Sequence, residues 1–174
     1  MFRLIDSPLG PLRLQASPRG LSRVEFTATG ALQEAADSAV KGDSEKHSAA
    51  VLDAAQTQLA EYFAGRRRAF ELPLDPPRTT DFRAAVHAQL MKIAYGETVT
   101  YRDVAKKLGR PGATRAVGSA CGANPLLIVR PCHRVLRSDG GLGGYAGGLE
   151  AKRFLLALEA VSYTHLTLPT SDLV

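Results

Sequence analysis

Polar and apolar residues alternate through the first 26 positions. Phe2-Arg3-Leu4-Ile5, Pro11-Leu12-Arg13-Leu14-Gln15-Ala16 and Leu21-Ser22-Arg23-Val24-Glu25-Phe26 read as three short strands. Ser7-Pro8-Leu9-Gly10 and Ser17-Pro18-Arg19-Gly20 carry turn chemistry between them, so an antiparallel meander is expected. Residues 27–48 are small and polar without a period and read as a mobile loop. From residue 49 to 64 the period changes. Val51, Leu52, Ala55, Leu59, Tyr62 and Phe63 recur at three and four, which marks one buried helix face. Gly65 stops that helix, and Arg66-Arg67-Arg68 read as solvated charges at its C-terminal end rather than as phosphate ligands.

Phe70-Glu71-Leu72-Pro73-Leu74 reads as a short closing strand, and Asp75-Pro76-Pro77-Arg78 as a proline-stiffened linker. The expected organisation is therefore a first domain over residues 1–77, a second over 78–160, and an atypical tail over 161–174. Thr80-Asp81 opens a helix through Ile93, with Phe82, Val86, Leu90 and Ile93 inward. Thr100 is suited to cap the next helix, with Asp103 completing a capping box, and that helix runs to Leu108. Gly109-Arg110-Pro111-Gly112 turns the chain into a helix over residues 113–122, and the pair resembles a helix-turn-helix. Ala113, Ala116, Gly118, Ser119, Ala120 and Gly122 leave that second helix almost without bulk. Glycine weakens a helix by about 1 kcal/mol relative to alanine, so its repeated use points to tight packing or to close approach of another surface. Leu126-Leu127-Ile128-Val129 reads as a buried strand leading into Pro131-Cys132-His133-Arg134-Val135, and the glycine-rich loop Gly140–Tyr145 leads out. Residues 150–160 form a last helix with Phe154, Leu155 and Leu158 inward. The Thr-rich tail, lacking Lys and Arg, is expected to extend no helix and resembles translated adapter read-through.

Composition narrows the class. Apolar content of 45% and charge of 22% suit a soluble globular protein. No run of eighteen apolar residues predicts a membrane span, and the N-terminus lacks the apolar core of an export signal. Two cysteines, Cys121 and Cys132, are then expected as reduced thiols in the cytoplasm. No Cys/His cluster has zinc spacing, so neither a metal nor a cofactor is expected. The net charge of +5 is unevenly placed: residues 82–160 carry 12 Lys+Arg against 5 Asp+Glu, whereas residues 1–81 carry 10 against 11. A basic half suits a polyanion partner, since phosphate binding releases counterions. Cys132 lies in that half, beside an imidazole, where a thiol is placed as a nucleophile rather than as a core hydrophobe.

Pro131-Cys132-His133-Arg134-Val135, preceded by Asn124-Pro125 and followed by Gly143-Gly144-Tyr145-Ala146-Gly147-Gly148-Leu149, resembles the active-site signature of the O6-alkylguanine-DNA alkyltransferases. The resemblance covers roughly residues 1–160. It implies an α/β fold: an N-terminal ribonuclease-H-like sheet with a helix, and a mainly helical, winged-helix-like C-terminal domain. It implies irreversible transfer of an alkyl group from O6 of guanine, or O4 of thymine, in DNA to Cys132, once per molecule. His133 would take the thiol proton through a water, Glu159 would orient the imidazole and Asn124 would hold the cysteine loop. This is the nucleophile–base–orienter logic of a protease triad. Double-stranded DNA would be met by a monomer through the minor groove, with the target base everted. Arg115 would fill the vacated space and Tyr101 would crowd the target's phosphate. Ala116 and Gly118 would permit close approach. Val135, Tyr145 and Ala146 would face the base, with Tyr145 stacking on it. Three departures from the family pattern stand out: Arg130, where an apolar residue is common; Ala146, where some members carry serine; and the absence of the cysteine and histidine zinc ligands that some members carry in the N-terminal domain, so no zinc is expected. A binding-only sensor of alkylated DNA, a cysteine hydrolase using Cys132 and His133, and a regulatory helix-turn-helix protein remain as alternatives.

Overall fold

The computed structural model describes residues 1–27 and 42–167, with side chains through Val161. The meander forms as the alternation predicts. Strands β1 (Phe2–Ile5), β2 (Leu12–Ser17) and β3 (Gly20–Phe26) pair antiparallel in the order β1-β2-β3. Leu12, Leu14 and Ala16 fall on one face of β2 and are all buried. Helix α1 (Asp43–Phe63) lies on that face and buries Leu52, Ala55, Leu59 and Tyr62 completely. Full burial of each leucine contributes about 1.5–3 kcal/mol, which fixes the helix on the sheet.

The loop expected over 27–48 is corrected at its end: α1 begins at Asp43, six residues before the apolar period. Its first turn has Asp43 and Glu45, whose charges suit the N-terminal dipole, and only Ser48 turns inward, so periodicity had nothing to register. Residues 28–41 of that loop lie outside the described residues. The closing strand over 70–74 is reduced to one bridge. Leu21 N donates to Pro73 O at 2.8 Å and Asp75 N donates to Leu21 O at 2.8 Å. Pro73 has no N–H with which to continue the ladder.

The second half begins with α2 (Asp81–Leu90), capped by Thr80, whose hydroxyl accepts from Arg83 N. It stops three residues short of Ile93, which sits in a turn. Thr100 and Asp103 form the expected capping box at α3 (Tyr101–Lys107), and α4 (Thr114–Gly122) follows the Gly-Pro turn. Val86, Leu90, Val104, Val117 and Ala120 make a second core beneath this helical hairpin. Short strands β4 (Val99–Thr100) and β5 (Val135–Leu136) pair in parallel.

The run over 126–129 is not the strand that its hydrophobicity suggests. Leu126 alone bridges to Val24 of β3, and Ile128 adopts a left-handed φ of 71°. The Leu126 N–H is taken by the Asn124 side chain at 3.0 Å, and Arg130 N turns back to Leu126 O. The four residues are apolar because they are wrapped on every side, not because they belong to a sheet. The last helix, α5 (Leu149–Thr167), runs through residue 167, so the expectation that the tail extends no helix is corrected for 161–167. Residues 168–174 lie outside the described residues. No described helix is long and apolar enough to cross a membrane.

Candidate active site

Cys132 opens a single 3-10 turn, Cys132–Arg134, set between the Asn124 turn and β5. Asn124 accepts from Leu126 N and donates from Nδ2 to Arg130 O at 2.9 Å, closing the loop that presents the thiol. The thiol is 4% exposed and lies at the floor of a cavity of about 550 Å³. Tyr101, Arg115, Gly118, Tyr145 and Ala146, all singled out from the sequence, line that cavity. Ala116 is exposed on α4 outside the lining. Val135 is fully buried beneath it; its N–H bonds Cys132 O and its carbonyl accepts from Lys152.

Two of the small residues of α4, Gly118 and Gly122, face space rather than protein. A Cβ built on Gly122 meets nothing within 4 Å, and one on Gly118 meets only the Tyr101 ring at 4.0 Å. Packing therefore does not explain these two glycines, whereas approach of a ligand does. Gly143 differs: its φ is +71°, and a Cβ there would lie 2.6 Å from the Tyr101 hydroxyl. Glycine is the residue that lets the 140s loop close over that ring.

Behind Cys132 the chemistry is dense. His133 is fully buried, and its Nε2–H donates to Glu159 Oε2. Tyr62 OH donates to the same oxygen at 2.7 Å. Arg134 Nε donates to Glu159 Oε1 at 2.6 Å, and Gly96 N reaches that oxygen at 3.3 Å. Four donors from three parts of the chain thus converge on one carboxylate. Burial pushes the Glu159 carboxyl up, but the bonds and charges of His133 and Arg134 outweigh it and hold it down at about 2. Burial pulls His133 below its usual value, against the pull of Glu159, so the ring is neutral near pH 7. Its Nδ1 has no protein partner and is the ring atom left for proton exchange.

Burial also raises the Cys132 thiol, opposed by Asn124, Lys152, its own backbone and Arg130. Cys121, the second free thiol on the cavity wall, is pushed up to about 12 by burial and by the proximity of Cys132. Tyr101 is likewise raised to about 12 by burial and by both cysteines, so it keeps its proton. The Tyr145 ring meets His133 edge-on at 6.5 Å.

The sequence offers no role for three residues of the site. Tyr62 reads as one more apolar position of α1. Arg134 is visible only as a member of the Pro131–Val135 motif, and Lys152 only as one of the charges of the basic half. Lys152 is instead fully buried, and its ammonium donates to Val135 O at 2.7 Å, Leu142 O, and Gly144 O at 3.2 Å. It ties the glycine loop to the strand after the cysteine. Only its i, i+3 and i, i+7 spacing from Leu155 and Glu159 on one helix face could have betrayed an inward position. Among the described residues no cluster of His, Cys, Asp or Glu is placed to hold a metal ion.

A helix-turn-helix beside a cavity, with a thiol on its floor and a histidine–carboxylate pair behind, defines a class. The chain belongs to the O6-methylguanine DNA methyltransferase family: residues 1–76 match its ribonuclease-like domain and residues 81–161 its DNA binding domain. It is 42% identical over 158 residues to the methylated-DNA–protein-cysteine methyltransferase of Methanosarcina barkeri, covering 91% of this chain and 96% of that one. The enzyme of the same name from Mycobacterium tuberculosis is also 42% identical, with 91% of each chain covered. The crystal structure of Mycobacterium tuberculosis OGT in complex with DNA superposes with a TM-score of 0.78 at 40% identity, over 92% of this chain and 93% of that one.

Proposed function

We propose that this protein repairs O6-alkylguanine in DNA by moving the alkyl group to Cys132, once per molecule. The observation that carries the reading is the thiol on the floor of a cavity walled by α4, with the His133–Glu159 pair directly behind it. His133 takes the thiol proton at Nδ1, directly or across a water. The sulfur then attacks the alkyl carbon in line. A C–S bond forms, the C–O6 bond breaks, and its electron pair stays on guanine. Tyr101, still protonated at neutral pH, donates a hydrogen bond to the guanine anion as its charge develops, while the proton lost by the thiol stays on His133 and balances that charge. Glu159 holds the imidazole and stabilises its charged form, while Arg134 and Tyr62 hold Glu159. Asn124 fixes the loop, and Lys152 acts as a positioning residue that fastens the base-pocket loop.

DNA is the partner, with α4 in the minor groove and the lesion everted into the cavity. Arg115, exposed at the rim, occupies the space the base leaves, and Tyr145 offers a face on which it stacks. Val135 retains a second lone pair on its carbonyl for the base edge. Ala116 presents backbone without bulk to the groove. Ala146 leaves O6 without a side-chain hydroxyl. The working form is a monomer in the cytoplasm, divided at residue 77. The tail beyond residue 160 has no part in the chemistry.

Intact-protein mass after incubation with a methylated duplex tests this reading. One methyl group on Cys132, with no turnover beyond one equivalent, is expected. Cys132→Ala should lose transfer and keep duplex affinity. Multiple turnover, or a methyl group on another residue, would overturn it.

A further inference from the structure

A second groove, of about 670 Å³, lies between the proline linker, α2 and the Asn124 turn. Its wall carries Arg23, Arg78, Arg83 and Arg130, with Asp81 as the single carboxylate. Among the described residues none of these arginines lies within ion-pair distance of a carboxylate. Arg130 is the decisive one. It is only 8% exposed, and its Nε is buried with no hydrogen-bond partner. Its backbone is fixed at both ends, N–H to Leu126 O and carbonyl to Asn124 Nδ2, each at 2.9 Å.

A buried guanidinium without a counter-ion is costly, and an anion seated against it removes the cost. His87 lines the same groove. Its Nε2–H donates to Ala120 O at 2.8 Å, and burial first, then Arg130 and Arg83, lower its proton affinity, so the positive charge of the groove is left to the arginines. The remaining donors are guanidiniums, whose planar fork matches the oxygens of a phosphate.

We propose that this groove binds an oxyanion of the phosphate class, with Arg130 as its buried anchor and Arg83, Arg78 and Arg23 at its rim. Two sources share that chemistry. One is a phosphodiester of the bound duplex, and this source rests on the DNA reading above. The groove is placed for it: Gly122 lines the thiol cavity and Ala123 the arginine groove, while Cys132 and Arg130 face the two spaces from positions two apart. The other source is free phosphate.

The test uses the full chain, Arg130→Leu and the exposed Arg83→Ala. Each is titrated with undamaged duplex across a salt series, and separately with inorganic phosphate followed by amide NMR shifts. A phosphodiester in the groove lowers the log–log salt slope by about 0.9 for each phosphate no longer neutralised, in both variants. A free-phosphate site gives saturable shifts in the wild type that both variants weaken by tenfold or more. Unchanged slopes together with no saturable phosphate binding overturn the proposal. Arg83→Ala keeps the test decisive if Arg130→Leu fails to fold. Transfer from free O6-methylguanine base is expected to be equal in the wild type and Arg83→Ala. Its absence from the wild type would sink the repair reading while leaving the phosphate titration to decide the groove.

Discussion

In front of the Cys132 sulfur the wall includes Gly118, Gly122, Gly144 and Ala146 beside Tyr101, Arg115 and Tyr145, and the polar atoms there are few. Behind it, Glu159 alone receives four donors, and Lys152 spans three carbonyls. The front is sparse because a ligand must complete it. The back is dense because a buried charge with a missing partner is expensive, and Glu159, Arg134 and Lys152 are each matched there. The contrast teaches where substitutions will act. Changes in front should alter transfer with little effect on folding, and changes behind should alter both.

Removing the base should give the largest effect on chemistry. His133→Ala is expected to slow transfer by about 10²–10⁴-fold, read with a free-base substrate so that DNA binding does not enter. Glu159→Gln should lower stability by about 3–5 kcal/mol in urea unfolding, because Arg134 is left as an unmatched buried cation. The same carboxylate sets an acid limb. Its folded value of about 2 lies below the ordinary 4.5, so its contribution is complete above about pH 4.5 and is lost as pH falls towards 2. That loss, on the order of 3 kcal/mol, should be absent from the Glu159→Gln protein. A milder cut behind the thiol is Tyr62→Phe, which should cost about 1.5–3 kcal/mol by removing one donor to a charge. At the front, Gly122→Ala should raise stability by up to about 1 kcal/mol, since the site has space and alanine favours helix. Gly122→Leu should fold as well and yet lose transfer from duplex DNA. If it folds poorly, the sparse wall is a packing feature after all.

The front of the site was legible in the sequence, and so, through the family resemblance, was the His133–Glu159 pair behind it, whereas the other partners of that carboxylate were not. Cys132, His133 and Asn124 sit within ten residues, and the small residues of α4 stand out against ordinary helix composition. Tyr62 and Glu159 are 97 positions apart, and a hydroxyl that faces a distant carboxylate looks, along the chain, like any half-polar member of an apolar stripe. Lys152 and Arg134 were hidden for a related reason: charge type says nothing of burial until the partners are known. The fold shows the same division. Alternation predicted β1 to β3, where one face is wet. It misread residues 126–129, where both sides are dry and hydrophobicity loses its period.

The Tyr62 hydroxyl also limits how such a protein can be rearranged. The half that holds the thiol is chemically finished by a group lent from the other half. Any exchange of the first 76 residues for a foreign scaffold must deliver a phenol, or an equivalent donor, to the same oxygen. The leading half is therefore an accessory of the reaction centre as well as a support, and modular swapping is restricted at that one atom.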